Sequence, residues 1–206
     1  MIALIDYGAG NLRSVQNALI RLGTAGVIAS GPDDIAQAQA VIFPGVGAAG
    51  PAMAALREQR LDQAILIAIR RGVPFLGICL GLQLLFERSA EDGATCVGAL
   101  PGTVERLDTK EKLPHVGWNT LERVRPHPVF QGLDGEAAYF VHTYVAVPRD
   151  SAVVVAETTH GVSFVSAIAL GSVVGVQFHP ERSGAAGLRL LENFLRFAKV
   201  SKSSAA

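Results

Sequence analysis

Apolar residues in this chain come in short continuous runs that alternate with longer segments of helical spacing. Residues 2–6 form such a run, ending at Tyr7-Gly8-Ala9-Gly10, and have the length and character of a strand buried on both faces. Leu12, Val15, Ala18, Leu19 and Leu22 then recur on one helix face, and Gly23 is placed to end that helix. Residues 27–29 and 40–43 read as the next strands. A Gly31-Pro32-Asp33-Asp34 turn follows the first, and Pro44-Gly45-Val46-Gly47 stops the second. One helix is expected over residues 51–70, with Met53, Leu56, Leu61, Ile65 and Ile69 on its apolar face. Residues 73–78 are a further strand, and a helix runs from Cys79 through Phe86.

The second half changes character. Residues 139–147, 153–157, 162–170 and 172–178 read as consecutive strands with tight connections, including antiparallel pairs. A last helix over 185–199 packs Leu188, Leu191, Phe194 and Leu195. The stretch 108–126, with Lys110, Glu111 and Lys112, reads as an exposed excursion. No internal repeat or linker divides the chain, so one domain over residues 1–200 and a flexible tail over 201–206 are expected. The alternation predicts an α/β fold: a doubly wound, mostly parallel sheet with helices on both faces. Chemistry in such sheets gathers at the carboxyl ends of the strands. Three glycine-bearing loops fall there, around Gly8, Gly45 and Cys79.

Composition narrows the function. Half of the 206 residues are hydrophobic and only 6% aromatic, so the core is aliphatic. Basic and acidic residues balance at 18 each, and no basic run exists to track phosphates, which argues against nucleic-acid binding. Two cysteines, Cys79 and Cys96, do not make a disulfide framework and point to a reducing compartment. They are not at metal-ligand spacing either; no metal and no cofactor is expected. The N-terminus reads as a first strand rather than a signal peptide, and no stretch is long enough to span a bilayer. The expectation is a soluble cytoplasmic protein.

Candidate chemistry centres on Gly77-Ile78-Cys79-Leu80-Gly81, at the passage from a buried strand to a helix. An elbow there lifts the side chain clear of the sheet and needs small neighbours. The N–H groups of the next turn favour a thiolate. A packed core cysteine is the competing reading, and these five residues leave both open. A second segment decides: Val173-Val174-Gly175-Val176-Gln177-Phe178 runs into His179-Pro180-Glu181. Residues two apart in extended chain face one side, so His179 and Glu181 point together. A nucleophile needs a base within about 3 Å and a third group to orient that base. Cys79, His179 and Glu181 fill those roles. Leu80 N–H and the Gly45-Val46 backbone are the candidate donors to an oxyanion. Cys96 reads as a packing residue, and His115, His127 and His160 as histidines without a named partner.

The elbow Gly-Ile-Cys-Leu-Gly-Leu-Gln and the Gly175-Val176-Gln177-Phe178-His179-Pro180-Glu181 segment resemble the class I glutamine amidotransferases. Those enzymes hydrolyse glutamine through a thioester and deliver ammonia to a partner site. Finer motifs are Asp6-Tyr7-Gly8-Ala9-Gly10-Asn11-Leu12, Pro44-Gly45-Val46-Gly47, Pro114-His115-Val116-Gly117-Trp118-Asn119 and Tyr139-Phe140-Val141-His142-Thr143-Tyr144. They resemble the histidine-biosynthesis branch of the family, in which a glutaminase subunit forms a heterodimer with a (β/α)₈-barrel cyclase that makes imidazole glycerol phosphate. The anthranilate synthase branch carries a His where this chain has Leu82, and the pyridoxal phosphate branch a Gly-Gly-Glu-Ser loop that is absent here. One departure stands: Ala49 occupies a place that is often aromatic.

The resemblance implies a glutamine pocket with Gln83 and Glu91 on the substrate's α-groups and the backbone of His142, Thr143 and Tyr144 along its wall. It also implies that Asn11 and Trp118 lie at the cyclase interface, although a core tryptophan is the rival reading for Trp118. The glycines flanking the Gly45-Val46 peptide let it reorient, so the oxyanion loop is expected to be incompletely preorganised in the free subunit. Rival functions are a glutaminase serving another synthase, a cysteine hydrolase of the same superfamily, and a redox module using Cys79 alone.

Overall fold

Ile2 and Leu4 pack into the core on one face of the central sheet, while Ala3 and Ile5 pack into the core on the other. That period of two within a continuously apolar strand is what burial on both faces requires. The computed structural model describes residues 1–200; the predicted 201–206 tail lies outside the described residues. Its first half comprises β1 (Ile2–Ile5), α1 (Leu12–Arg21), β2 (Gly26–Ala29), α2 (Pro32–Ala36), β3 (Ala40–Gly45), α3 (Ala49–Glu58), α4 (Leu61–Arg70), β4 (Phe75–Cys79) and α5 (Leu80–Gln83). The second half adds β5 (Arg88–Ser89), β6 (Gly102–Arg106), β7 (His115–Thr120), β8 (Ala137–His142), β9 (Tyr144–Pro148), β10 (Val154–His160), β11 (Val162–Leu170), β12 (Val173–Val176) and α6 (Gly184–Phe197).

The seven-stranded sheet has the order β10-β11-β12-β4-β3-β1-β2. Strands β12, β4, β3, β1 and β2 are parallel, and β10 and β11 extend the sheet antiparallel. Helices α1 and α6 cover one face through Val15, Leu19, Leu190 and Phe194; α3 and α4 cover the other through Met53, Leu56, Leu61 and Ile65. The doubly wound, mostly parallel sheet predicted from the alternation is present. Two small sheets, β5-β6-β9 and β7-β8, stand apart from it.

Several elements depart from the sequence expectation, each for a local reason. Pro44 does not stop β3, which continues to Gly45 opposite Cys79. Val41 donates its N–H toward the β4 side, so Pro44, three residues on, faces the β1 side. Pairing with β1 ends at Ile42, and the missing donor costs no ladder bond there. The expected 51–70 helix is two helices, broken at Arg60 in left-handed conformation (φ 56°). Leu56 and Leu61 are five residues apart, a step that would carry Leu61 off the buried face of one straight helix. The turn at 31–34 opens α2, where the Asp34 carboxylate accepts from the N–H groups of Ser30 and Gly31.

The elbow helix is one turn, not a helix through Phe86. Leu85 and Phe86 donate three residues back, to Leu82 and Gln83, and Leu84, Leu85 and Phe86 are all buried. The expected 139–147 strand is two strands in different sheets, parted at Thr143, whose carbonyl accepts from Leu107 N–H. The 108–126 stretch is not a plain excursion. It contains β7, paired with β8 from His115↔His142 to Thr120↔Ala137. In β7 the apolar Val116 and Trp118 face outward while His115 is buried, an inversion of the usual alternation that hides the strand from a hydrophobicity reading.

Candidate active site

Strand order places the candidate groups. β4 lies between β3 and β12, so the exit of β4 at Cys79 has the Gly45 loop on one side and the Gln177–His179 segment on the other. Cys79 turns at φ 53°, ψ −112°, a region that costs a non-glycine residue about 1–3 kcal/mol. Small neighbours make the turn possible. A Cβ on Gly81 would sit 1.8 Å from the Phe43 carbonyl oxygen, and one on Gly77 2.9 Å from the Leu82 backbone. Gly45 is as restricted, with the Gly81 backbone nitrogen 2.7 Å from where a Cβ would lie. The predicted elbow, with its demand for glycine, is therefore present.

His179 Nδ1 lies 2.8 Å from Glu181 Oε1, and both side chains are almost fully buried. An extended segment is expected to set the two side chains on one side, but β12 ends at Val176, and residues 180–182 form a 3₁₀ turn. The turn itself brings the two side chains together. Its backbone is held at both ends: His179 N–H donates to Tyr139 O at 2.9 Å, and Ser183 Oγ–H donates to His179 O at 2.7 Å. Gly187 of α6 packs so closely that a Cβ would lie 1.9 Å from Pro180 O.

With Nδ1 on Glu181, the free Nε2 of His179 is buried without a hydrogen bond and turned to Cys79. Burial alone would push the imidazole down. The Cys79 sulfur and the Glu181 carboxylate outweigh it and hold His179 up at about 10, which makes the imidazole a stronger base. Asn11 Nδ2 approaches Glu181 Oε1 at 3.4 Å. This residue, expected at a partner interface, also touches the His–Glu pair.

A cleft of about 190 Å³ opens beside Cys79, lined by Val46, Gly47, Leu80, Gln83, Glu91 and the 141–144 segment among others. The structure thus brings the predicted pocket residues Gln83, Glu91, His142, Thr143 and Tyr144 to the same cleft as Cys79. Gln83 is nearly buried, and its Nε2 donates both to Tyr144 O (2.8 Å) and to Gln177 Oε1 (3.0 Å). Both donors are spent, which leaves Oε1 as the group Gln83 can offer a ligand. Glu91 Oε2 accepts from Ala49 N–H at the start of α3, at 3.0 Å. Burial raises its carboxyl above the usual range, and the Ala49 hydrogen bond opposes that rise.

Sequence reasoning missed Gln177 and Tyr7. Gln177 is fully buried, and its Nε2 lies 3.6 Å from Cys79 Sγ; the type of residue, a buried amide one step before Phe178-His179, was the available signal. The Tyr7 hydroxyl is buried without a well-formed hydrogen bond. Burial pushes its phenol up, and the nearby Val46 N–H pulls partly back. Trp118 is 59% exposed, so the core-tryptophan reading is set aside. Its ring meets Tyr139 edge-on at 6.2 Å. The three histidines left without partners have them: His115 with His142 and His160, and His127 as the cap of Val129 N–H. Cys96 is buried, and burial raises its thiol to about 11, in keeping with a packing residue. Among the described residues no helix is long and apolar enough to cross a membrane.

An elbow cysteine, a buried imidazole–carboxylate pair and a polar cleft on a parallel sheet are the groups that acyl transfer through a cysteine needs. The family model "Glutamine amidotransferase class-I" matches residues 3–197, and the chain belongs to that family. Among curated relatives, "Imidazole glycerol phosphate synthase subunit HisH" of Dehalococcoides mccartyi is 48% identical over 98% of this chain and 100% of its own length. The proteins of the same name from Moorella thermoacetica and Aquifex aeolicus are 50% and 49% identical, covering 94% and 95% of this chain and 93% and 96% of theirs. Of solved structures, "Crystal structure of glutamine amidotransferase" superposes with a TM-score of 0.76 at 22% identity, covering 97% of this chain and 100% of that one. "Structure of PurLQS from Thermotoga maritima" gives 0.75 at 22% identity, with 95% and 97% covered. At such identities the two superpositions speak to the fold.

Proposed function

We propose that this chain is the glutaminase subunit of an imidazole glycerol phosphate synthase, hydrolysing glutamine to glutamate and passing ammonia to a (β/α)₈-barrel cyclase in histidine biosynthesis. The observation that carries the chemistry is the His179–Glu181 pair at 2.8 Å beside the Cys79 elbow; the full-length relatives support the pathway.

That pair supports the following mechanism. His179 Nε2 takes the proton from Cys79, and the thiolate attacks the side-chain carbonyl carbon of glutamine. Leu80 N–H and the Gly45-Val46 backbone stabilise the oxyanion. Collapse of the tetrahedral adduct breaks the C–N bond, and His179 protonates the departing nitrogen to release ammonia. Water then attacks the thioester with His179 as base, the C–S bond breaks, and glutamate leaves. Glu181 holds the imidazole by Nδ1 throughout. Glu91 and Gln83 Oε1 receive the substrate ammonium, a charge-assisted contact in the case of Glu91.

Ammonia released to bulk water becomes ammonium and is lost as a nucleophile, so a partner must cover the exit. The exposed Val116 and Trp118 on β7, with Val46 of the oxyanion loop, offer an apolar face for it. Gly45 has no side chain to oppose rotation of the Gly45-Val46 peptide, and Val46 beyond it is half-exposed; on this reading partner docking sets the oxyanion hole. Glutamate release by the purified chain, measured with and without the cyclase and its nucleotide ligand, tests the reading. A large stimulation is expected. No release in either condition would remove the glutaminase assignment, and equal release in both would remove the control by the partner.

A further inference from the structure

Three histidines meet behind the cleft. His115 of β7 stacks on His160 of β10 (centroids 4.1 Å, 22° between planes) and meets His142 of β8 edge-on. Hydrogen bonds through this group have one permitted direction. His142 Nδ1 lies 3.1 Å from Tyr144 O; a carbonyl only accepts, so Nδ1 carries the proton and Nε2 of the neutral ring is an acceptor. His115 Nδ1, 3.1 Å from that Nε2, must then be the donor, leaving His115 Nε2 to accept. Asn119 Nδ2 reaches it at 3.3 Å.

The far end imposes the same answer independently. Asn119 Nδ2 donates to Thr159 O at 2.8 Å, and its Oδ1 accepts from Thr120 N–H, so the group facing His115 is an N–H. Beyond Tyr144 the path continues. The same carbonyl accepts from Gln83 Nε2, Gln83 Nε2 donates to Gln177 Oε1, and Gln177 Nε2 reaches Cys79 Sγ.

We propose that Asn119, His115 and His142 are positioning residues: a one-way relay of neutral rings that fixes the Tyr144 carbonyl and, through it, the amide of Gln83 in the glutamine pocket. The proposal rests on the glutaminase reading. The relay begins beside exposed Trp118, so it also ties β7 to the pocket. A proton added to either ring would set N–H against N–H and break the line. The titratable groups facing it are His160, stacked on His115 and donating to Lys112 O, and His179, whose charge acts on His142. Phe140 and Phe164 close the remaining sides. Burial holds His142 down at about 3 and His115 at about 4, in line with rings that stay neutral.

Two measurements on the chain in complex with the cyclase test this. Imidazole ¹⁵N NMR is expected to find both His115 and His142 as Nδ1–H tautomers from pH 5.5 to 8, the form less favoured by free imidazole; an Nε2–H tautomer at either residue would overturn the relay. In glutaminase kinetics, His115→Phe keeps the ring stack but loses the hydrogen bonds. It is expected to raise KM for glutamine about tenfold, the value of one hydrogen bond, with kcat within about threefold. His115→Asn, which keeps a donor near the Nδ1 position, is expected to restore most of KM. An unchanged KM in His115→Phe, or equal defects in both variants, would overturn it. If the wild-type complex releases no glutamate, the glutaminase reading fails, while the tautomer result still decides the relay.

Discussion

Asn11 Nδ2 and His179 Nδ1 converge on one oxygen of Glu181, at 3.4 Å and 2.8 Å. The carboxylate is thereby held from both α1's entry and the turn after β12, and its charge is directed at the imidazole. Glu181→Gln should keep the shape and lose that charge. The expected result is a fall in kcat of at least about 100-fold, the scale of a positioned acid–base partner, checked by steady-state glutamate release in the complex.

Cys79→Ala should abolish thioester formation. Rapid-quench mass spectrometry with glutamine checks this: the wild type should accumulate a glutamyl adduct on Cys79, and the variant none. A glutamyl adduct on the variant would place the nucleophile elsewhere.

Gly81→Ala places a methyl 1.8 Å from the Phe43 carbonyl oxygen, where backbone rather than a flexible side chain must yield. Overpacking of this kind costs about 1–3 kcal/mol. The elbow also has to shift, so activity should fall further than stability. Thermal unfolding and glutaminase rates measured side by side check the order of the two losses.

Acid should weaken the fold through the histidine cluster. His115 and His142 have pKa values depressed to about 4 and about 3 by burial first and neighbouring imidazoles second. The unfolded chain then binds more protons than the folded one below about pH 6.5. Their contribution is fully present above that pH and declines as pH falls toward 4. His179 has the opposite sign: raised to about 10, it contributes most below pH 6.5, and that contribution is lost as pH rises through 10. Urea unfolding across pH 4–10 should show losses at both ends, with the acid loss reduced in His115→Phe relative to wild type.

Much of the molecule is readable from the order of residues alone. Continuous apolar strands, helical spacing between them and glycines at strand exits require little beyond local geometry and burial on two faces, and they specify a doubly wound sheet. Cys79 is legible because it stands at a strand exit between glycines, and His179 and Glu181 because they stand two apart just beyond another strand. What the sequence could not determine depends on which strands become neighbours. His179 and Glu181 meet in a 3₁₀ turn that Ser183 closes locally and that Tyr139, 40 residues before His179, clamps by accepting from His179 N–H and donating to Ser183 Oγ. β7 was concealed because its apolar side faces outward, and the roles of His115, His142 and Gln177 exist only once β7, β8 and β12 converge. Periodicity records which side of an element is buried; hydrogen-bond direction between buried polar groups is decided by tertiary contacts, because each donor must find an acceptor that water no longer supplies.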